Sequence, residues 1–375
     1  MAITDENYLD VVKALVASDE YTKRGVNLQN IPARSKSGKR VRNAFVPREG
    51  WVFIGSDLGQ IEPRIQAHIM YEKYGDNSMR QIFIDNMGYY ETMAMKTFNL
   101  PREYCEDKVL DPTGTFSPRA LMKTGVLAKS YDQSPQSFSN KMKVPMEVAQ
   151  DFFQGFDEQF PAFTQMVRDI REGMKKNGYV ETIYGRKRRF PEYRKTAEYV
   201  AKNEQRLIRL YTERKQLRNK KSLSKADQER LAKLQVQIDD IANKRGLVGY
   251  WERAAFNAVI QGTGADILKM NGNRMARICM ERGWEFNASI HDEIKISVPE
   301  DELTPEVIDL VKDVMTNTAN LSVPLVTDTV IEPAWMLEMK PEEYFTGVVN
   351  RDDYTKEEDY ERQVALVRKH WKGRD

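Results

Sequence analysis

Two aspartates stand where strand-like runs end. Trp51-Val52-Phe53-Ile54-Gly55-Ser56 is an apolar run that closes on Asp57, and His291-Asp292-Glu293 separates two alternating runs, Phe286 to Ser289 and Ile294 to Val298. Read as strands, these put Asp57 at a strand end and His291-Asp292-Glu293 at the tip of a hairpin, where a sheet can hold acids rigidly against each other. Two acids delivered to one point supply hard oxygen ligands for a pair of Mg²⁺ ions, and such a pair clamps both ends of a phosphoryl displacement. The chemistry suggested is phosphoryl transfer. Taken alone, the same residues also describe a solvated turn and a capped strand end.

Phosphate oxygens need cations, and Pro118 to Tyr131 reads as a helix that provides them. Arg119 and Lys123 lie one turn apart on one face, with Leu127 and Tyr131 following. Farther on, Arg253, Asn257 and Gln261 recur every four residues, a polar stripe on an otherwise apolar helix. Two basic clusters are suited to phosphate contact: Arg34, Lys36, Lys39, Arg40, Arg42 and Arg48, then Arg186-Lys187-Arg188-Arg189. Either is equally an ordinary solvated face. The net charge of +2 does not by itself announce a polyanion partner.

At 375 residues, 41% apolar and 30% charged, the chain is long enough for two or three domains with a real core. No run of about 18 apolar residues occurs, and Met1 to Asp10 lacks a signal-peptide layout, so the expected setting is the cytoplasm with no membrane contact. Cys105 and Cys279 have no zinc-type spacing and read as two free thiols.

Several ordered strings carry a resemblance. They are Asn27-Leu28-Gln29-Asn30-Ile31-Pro32, Asp57-Leu58-Gly59-Gln60-Ile61-Glu62-Pro63-Arg64, Arg119 and Lys123 with Tyr131, Gly178 to Arg186, Gln261-Gly262-Thr263-Gly264-Ala265-Asp266, and His291-Asp292-Glu293. In this order they closely resemble the polymerase portion of family A DNA polymerases, the bacterial polymerase I type and its phage relatives, from Asn27 to about Trp335. The resemblance implies DNA synthesis from dNTPs on primer-template DNA with two Mg²⁺ ions, in the cytoplasm of a bacterial host if the chain is phage-encoded. It makes Asp57, the Leu58 carbonyl and Asp292 metal ligands, with Glu293 a nearby catalytic carboxylate. Arg119, Lys123, Leu127, Tyr131, Gln60 and Glu62 become the nucleotide site, Glu62 crowding the sugar 2′ position. Arg253, Asn257 and Gln261 would touch the minor groove, His291 the primer end, and Arg40, Arg186 and Arg188 the duplex. The sequence departs from the family pattern at Pro63, Tyr90, Leu127 and Asp132.

The expected fold class is α+β, a palm with an antiparallel sheet, helical fingers and an inserted helical hairpin. The expected limits are an N-terminal segment 1–26, palm 27–69, fingers 70–190, insertion 191–246, second palm part 247–337 and a charged tail 338–375. The insertion carries apolar residues at helical spacing (Leu207, Leu210, Leu217, then Leu231, Leu234, Ile238, Ile241), with Ser224 and Asp227 resembling a capping box. Between 192 and 246 it holds 15 Lys or Arg against 8 Asp or Glu. Phe152, Phe153, Phe156 and Phe160 are expected to pack the fingers, and Tyr354, Tyr360, Val364, Leu366, Val367 and Trp371 to dock the tail. The family ordinarily has a thumb, and often a 3′–5′ exonuclease domain, before Asn27. Either the sequence is a fragment or a separate chain supplies them, and the expectation is such a chain, pairing near Tyr8 to Val16. The rival readings are an inactive DNA-binding or scaffold subunit and a single-subunit RNA polymerase relative.

Overall fold

The computed structural model describes residues 31–32, 35–131 and 133–373. The Tyr8 to Val16 edge, most of the Asn27 motif, Arg34 and Asp132 lie outside the described residues. In chain order the elements are α1 (Lys36–Arg42), β1 (Trp51–Leu58), α2 (Ile61–Tyr74), α3 (Ser78–Ile84), α4 (Tyr89–Phe98), α5 (Pro118–Ser130), α6 (Pro135–Met142), α7 (Met146–Gln159) and α8 (Pro161–Asn177). They continue as β2 (Tyr179–Glu181), β3 (Lys187–Arg189), α9 (Tyr193–Arg218), α10 (Lys225–Arg282), β4 (Glu285–Ile290), β5 (Glu293–Pro299), α11 (Pro305–Asn317), β6 (Thr327–Glu332), α12 (Pro341–Thr346) and α13 (Glu357–His370). The fold is α+β. It divides into two compact units, one made of the described residues to Ile61 and from Ala265 onward, the other of Glu62–Gly264.

The first unit is built on a four-stranded antiparallel sheet of order β4-β5-β1-β6. Ile54, Ile296, Val298 and Ile331 are buried in it, and α11 covers β1 and β6 with Val307, Ile308, Val311 and Val314. The end of α10 joins α11 through the Asn271 amide, which donates to the Met315 carbonyl at 2.9 Å, and an Arg274–Asp313 ion pair at 2.7 Å. The tail docks as its apolar spacing requires: Val367 is fully buried, and Trp371 lies over Gly347, where a Cβ would meet the indole at 2.9 Å. Gly347 also has φ 74°, a conformation that glycine adopts without strain.

In the second unit, α5 starts on a Ser117 cap with Pro118 in its first turn. Its Gly125 lets α7 approach, since a Cβ there would stand 2.1 Å from Phe152 Cζ. Phe138, Phe152, Phe156, Phe160 and Phe163 are fully buried around this contact. The α9–α10 hairpin has its own core of Leu207, Leu210, Leu234, Ile238 and Ile241. The box at its bend forms: the Asp227 N–H donates to Ser224 Oγ and the Ser224 N–H to Asp227 Oδ2, both at 3.1 Å. The second helix runs unbroken past Gly246, 58 residues in all, to Arg282. Gly246 and Gly249 both lie in it; a helical glycine costs only about 1 kcal/mol, too little to end a helix whose apolar positions continue on both sides.

Candidate active site

At one end of the first unit's sheet, β1 is held from both sides. The Leu58 N–H donates to the Asp292 carbonyl at 3.2 Å, and Thr327 Oγ1 donates to the Asp57 carbonyl at 2.8 Å. Register puts Asp57 opposite Glu293 on β5 and Asp328 on β6. His291 and Asp292 form the two-residue link between β4 and β5, and His291 accepts φ 56°, the left-handed geometry that such a link demands. His291 is exposed, as is Gln60, which has φ 53° just before α2.

The two sequence-predicted aspartates therefore meet. Burial, repulsion by Asp292, a hydrogen bond with the Asp292 carboxyl and repulsion by Glu293 and Asp328 push the Asp57 carboxyl up to about 7. Two carboxyls brought together in this way offer oxygen ligands of the kind a hard cation takes. Among the described residues, no group of three or more His, Cys, Asp or Glu side chains is placed to hold a metal ion.

Glu293 is placed differently from its two neighbours. Its Oε1 pairs with Lys295 Nζ at 2.9 Å, and Lys295 also pairs with Glu332. Burial opposes the Lys295 charge, but the Glu332 and Glu293 carboxylates outweigh it and hold the lysine above its ordinary pKa. Lys295, Glu332 and Asp328 are residues that sequence reasoning missed. The available signal was a lysine in the otherwise apolar run Ile294 to Val298, since a buried lysine is almost always paired.

The second unit gathers another set. Arg119 is bound by Glu91 and, at 2.8 Å, by Asp107. One and two turns on, Lys123 and Leu127 are exposed. Asn257 of α10 donates to the Tyr131 hydroxyl, which ties the end of α5 to the middle of the polar stripe. Arg253 and Gln261, one turn to either side, are exposed. Glu62, in the first turn of α2, acts on two phenols: burial and then the Glu62 charge raise both Tyr90 and Tyr131. Arg186 is engaged with its own unit, donating to the Gly262 carbonyl at 2.7 Å and so fastening the β2–β3 turn to α10. Gly262 permits that approach, because a Cβ would stand 2.9 Å from Thr182 Cγ2. Arg188 on β3 and Arg40 on α1 are exposed.

Both cysteines are free and buried, and burial pushes the Cys279 thiol up to about 11. No helix among the described residues is long and apolar enough to cross a membrane.

A family model described as DNA polymerase family A matches residues 14–337. The chain belongs to DNA polymerase family A. Within the family it is 29% identical to the thermostable DNA polymerase I of Thermus aquaticus over 310 residues, 83% of this chain and 30% of that protein. It is 26% identical to DNA polymerase I of Chloroflexus aurantiacus over 328 residues, 87% of this chain and 28% of that one. It thus spans under a third of the length of these relatives. Among solved structures, this family A chain is similar to the POL domain of Pol1 from M. smegmatis in complex with DNA primer-template and dNTP. The TM-score is 0.59 at 25% identity, covering 82% of this chain and 44% of that one.

Proposed function

We propose that the chain carries out template-directed DNA synthesis, transferring a nucleotidyl group from a dNTP to a primer 3′-hydroxyl. One observation carries the proposal: in a family A chain, the pairing of β1 with the β4–β5 hairpin brings the Asp57 and Asp292 carboxyls into contact. Asp57, Asp292 and the Leu58 carbonyl are the groups that would hold two Mg²⁺ ions. When bound, these ions would supply Lewis-acid activation of the primer hydroxyl and neutralise charge on the triphosphate and the leaving pyrophosphate.

The remaining work falls to the chain's own groups. Lys123, exposed on α5, neutralises triphosphate oxygens, and Arg119 shares that role from its place between Glu91 and Asp107. Glu62 crowds the sugar 2′ position and rejects ribonucleotides. The stripe of Arg253, Asn257 and Gln261 contacts the minor groove, whose acceptors are nearly the same for every pair, so it checks pair shape without reading sequence. The palm role belongs to the first unit and the fingers role to the second, and Arg40 and Arg188 offer exposed charge to duplex phosphates.

Primer extension tests this. The purified chain, given a primed template, dNTPs and Mg²⁺, should extend the primer and should stop when the metal is chelated. Extension with ribonucleotides alone would favour the RNA polymerase reading. Binding of primer-template without extension of any kind would favour an inactive DNA-binding subunit.

A further inference from the structure

We propose that Lys295 is a positioning residue for the carboxylate pair: seated with Glu332, its ammonium keeps Glu293 turned into the sheet as a counter-ion. Asp57 and Asp292 are then the carboxylates presented to the metal ions. The inference rests on the two-metal reading above and adds to it residues that neither the motifs nor the family match assigns.

The observation is a group of three ionisable side chains, two from β5 and one from β6, two of them buried, packed across β1 at Gly55. The Lys295 side chain is 4% exposed and that of Glu332 1%, while Glu293 retains 22%. Lys295 stands opposite Gly55 in the β1–β5 ladder, and Glu332 stands opposite Phe53 in the β1–β6 ladder. The three groups fill the space a side chain at Gly55 would occupy: a Cβ there would lie 2.6 Å from Glu293 Oε1, 3.0 Å from Lys295 Nζ and 3.4 Å from Glu332 Oε2. Gly55 is thus the clearance that lets β1 cross the group. Glu332 is fixed in turn, since its Oε1 accepts from the Met336 N–H at 2.7 Å.

One ammonium here answers two carboxylates, and Glu293 is the more exposed of them. It adjoins Asp292 in the chain and faces Asp57 in the ladder. With Lys295 removed, Glu293 has no buried cation to hold it. Released, it stands opposite Asp57 in the ladder, where a third carboxylate would tighten metal binding and misplace the ions.

The test compares the full chain with K295M/E332Q, K295M/E332Q/E293Q and K295R. Removing the lysine and Glu332 charges together avoids a stranded buried charge, and buried ion pairs replaced this way are often tolerated. Thermal unfolding verifies the fold of each variant. Mn²⁺ binding to the DNA-free chain reads the metal site directly, and single-turnover extension separates rate from dNTP KM. The double variant should bind Mn²⁺ roughly tenfold more tightly, because affinity follows ligand charge. It should extend at least about tenfold more slowly with KM little changed. Adding E293Q should return Mn²⁺ affinity toward that of the parent chain. Unchanged Mn²⁺ affinity in the double variant, or a gain that E293Q fails to reverse, overturns the proposal. If the double variant does not fold, K295R decides: parental Mn²⁺ affinity supports the role of the charge, and a tenfold change contradicts it. If the parent chain extends no primer, the Mn²⁺ comparison still reads the role of Lys295, so failure of the polymerase reading is a separate result.

Discussion

The Leu58 N–H donates to the Asp292 carbonyl oxygen at 3.2 Å, locking the last residue of β1 to the link between β4 and β5. This backbone bond joins positions far apart in sequence, and it turns two solitary acids into a pair. A pair made this way is held against its own repulsion by the ladder around it.

That repulsion predicts a trade between stability and activity. In chelator, D57N should unfold a few degrees above the parent chain, because it removes one of two like charges in contact. Mg²⁺ should raise the Tm of the parent more than that of D57N. Extension by D57N or D292N should fall at least about 10²-fold, since each removes a group that stabilises charge developing in the transition state. Differential scanning fluorimetry with and without Mg²⁺, beside primer extension, checks both halves. A D57N chain less stable than the parent in chelator would contradict the repulsion argument.

Lys123 and Arg119 should differ. Lys123 is exposed on α5, whereas Arg119 is already bound to Glu91 and Asp107. K123A should raise the dNTP KM by about tenfold or more, the usual cost of one charge-assisted hydrogen bond. R119A should lower thermal stability as well, because it leaves two carboxylates facing each other. Steady-state kinetics and a melting curve separate the two. An effect of K123A on DNA affinity alone would move Lys123 to the template path.

Glu62 has a spectroscopic signature besides a kinetic one. Its charge helps raise the Tyr90 and Tyr131 phenols, so E62A should lower both pKa values in an ultraviolet titration. The same variant should insert ribonucleotides more readily. Lowered phenol pKa values with unchanged sugar discrimination would return Glu62 to the role of a first-turn acid favoured by the helix dipole.

The bend of the α9–α10 hairpin should be acid-sensitive. Hydrogen bonds from Lys220 and then Ser224 hold the Asp227 carboxyl down at about 2. A depressed carboxyl contributes stability that is present above its ordinary value of 3.8 and is lost as pH falls toward about 2. Helical ellipticity should therefore decline between about pH 4 and pH 2, and D227N should flatten that step. A full-sized step in D227N would assign the acid sensitivity to other groups.

The legible part of this protein was local. Asp57 at the close of an apolar run, the hairpin tip at His291-Asp292-Glu293, the four-residue spacing of Arg119 and Lys123, and the Ser224–Asp227 box each depend on neighbours within one or two turns of chain. Periodicity and capping chemistry operate at that range, and the motif order was enough to reach the family. What only the tertiary structure decided is who faces whom. The strand order β4-β5-β1-β6 puts Glu332 beside Lys295, 37 positions away, and converts a lysine in an apolar run into the centre of a buried charge group. The same applies to Arg119, captured by acids 28 and 12 positions before it, and to Asp328, brought opposite Asp57 by the β1–β6 ladder. The unbroken course of α10 belongs here too, because packing along its length decided a point that Gly246 left open. Burial and pairing are properties of the folded neighbourhood, and a charged residue acquires its partner only once distant strands and helices have been laid side by side.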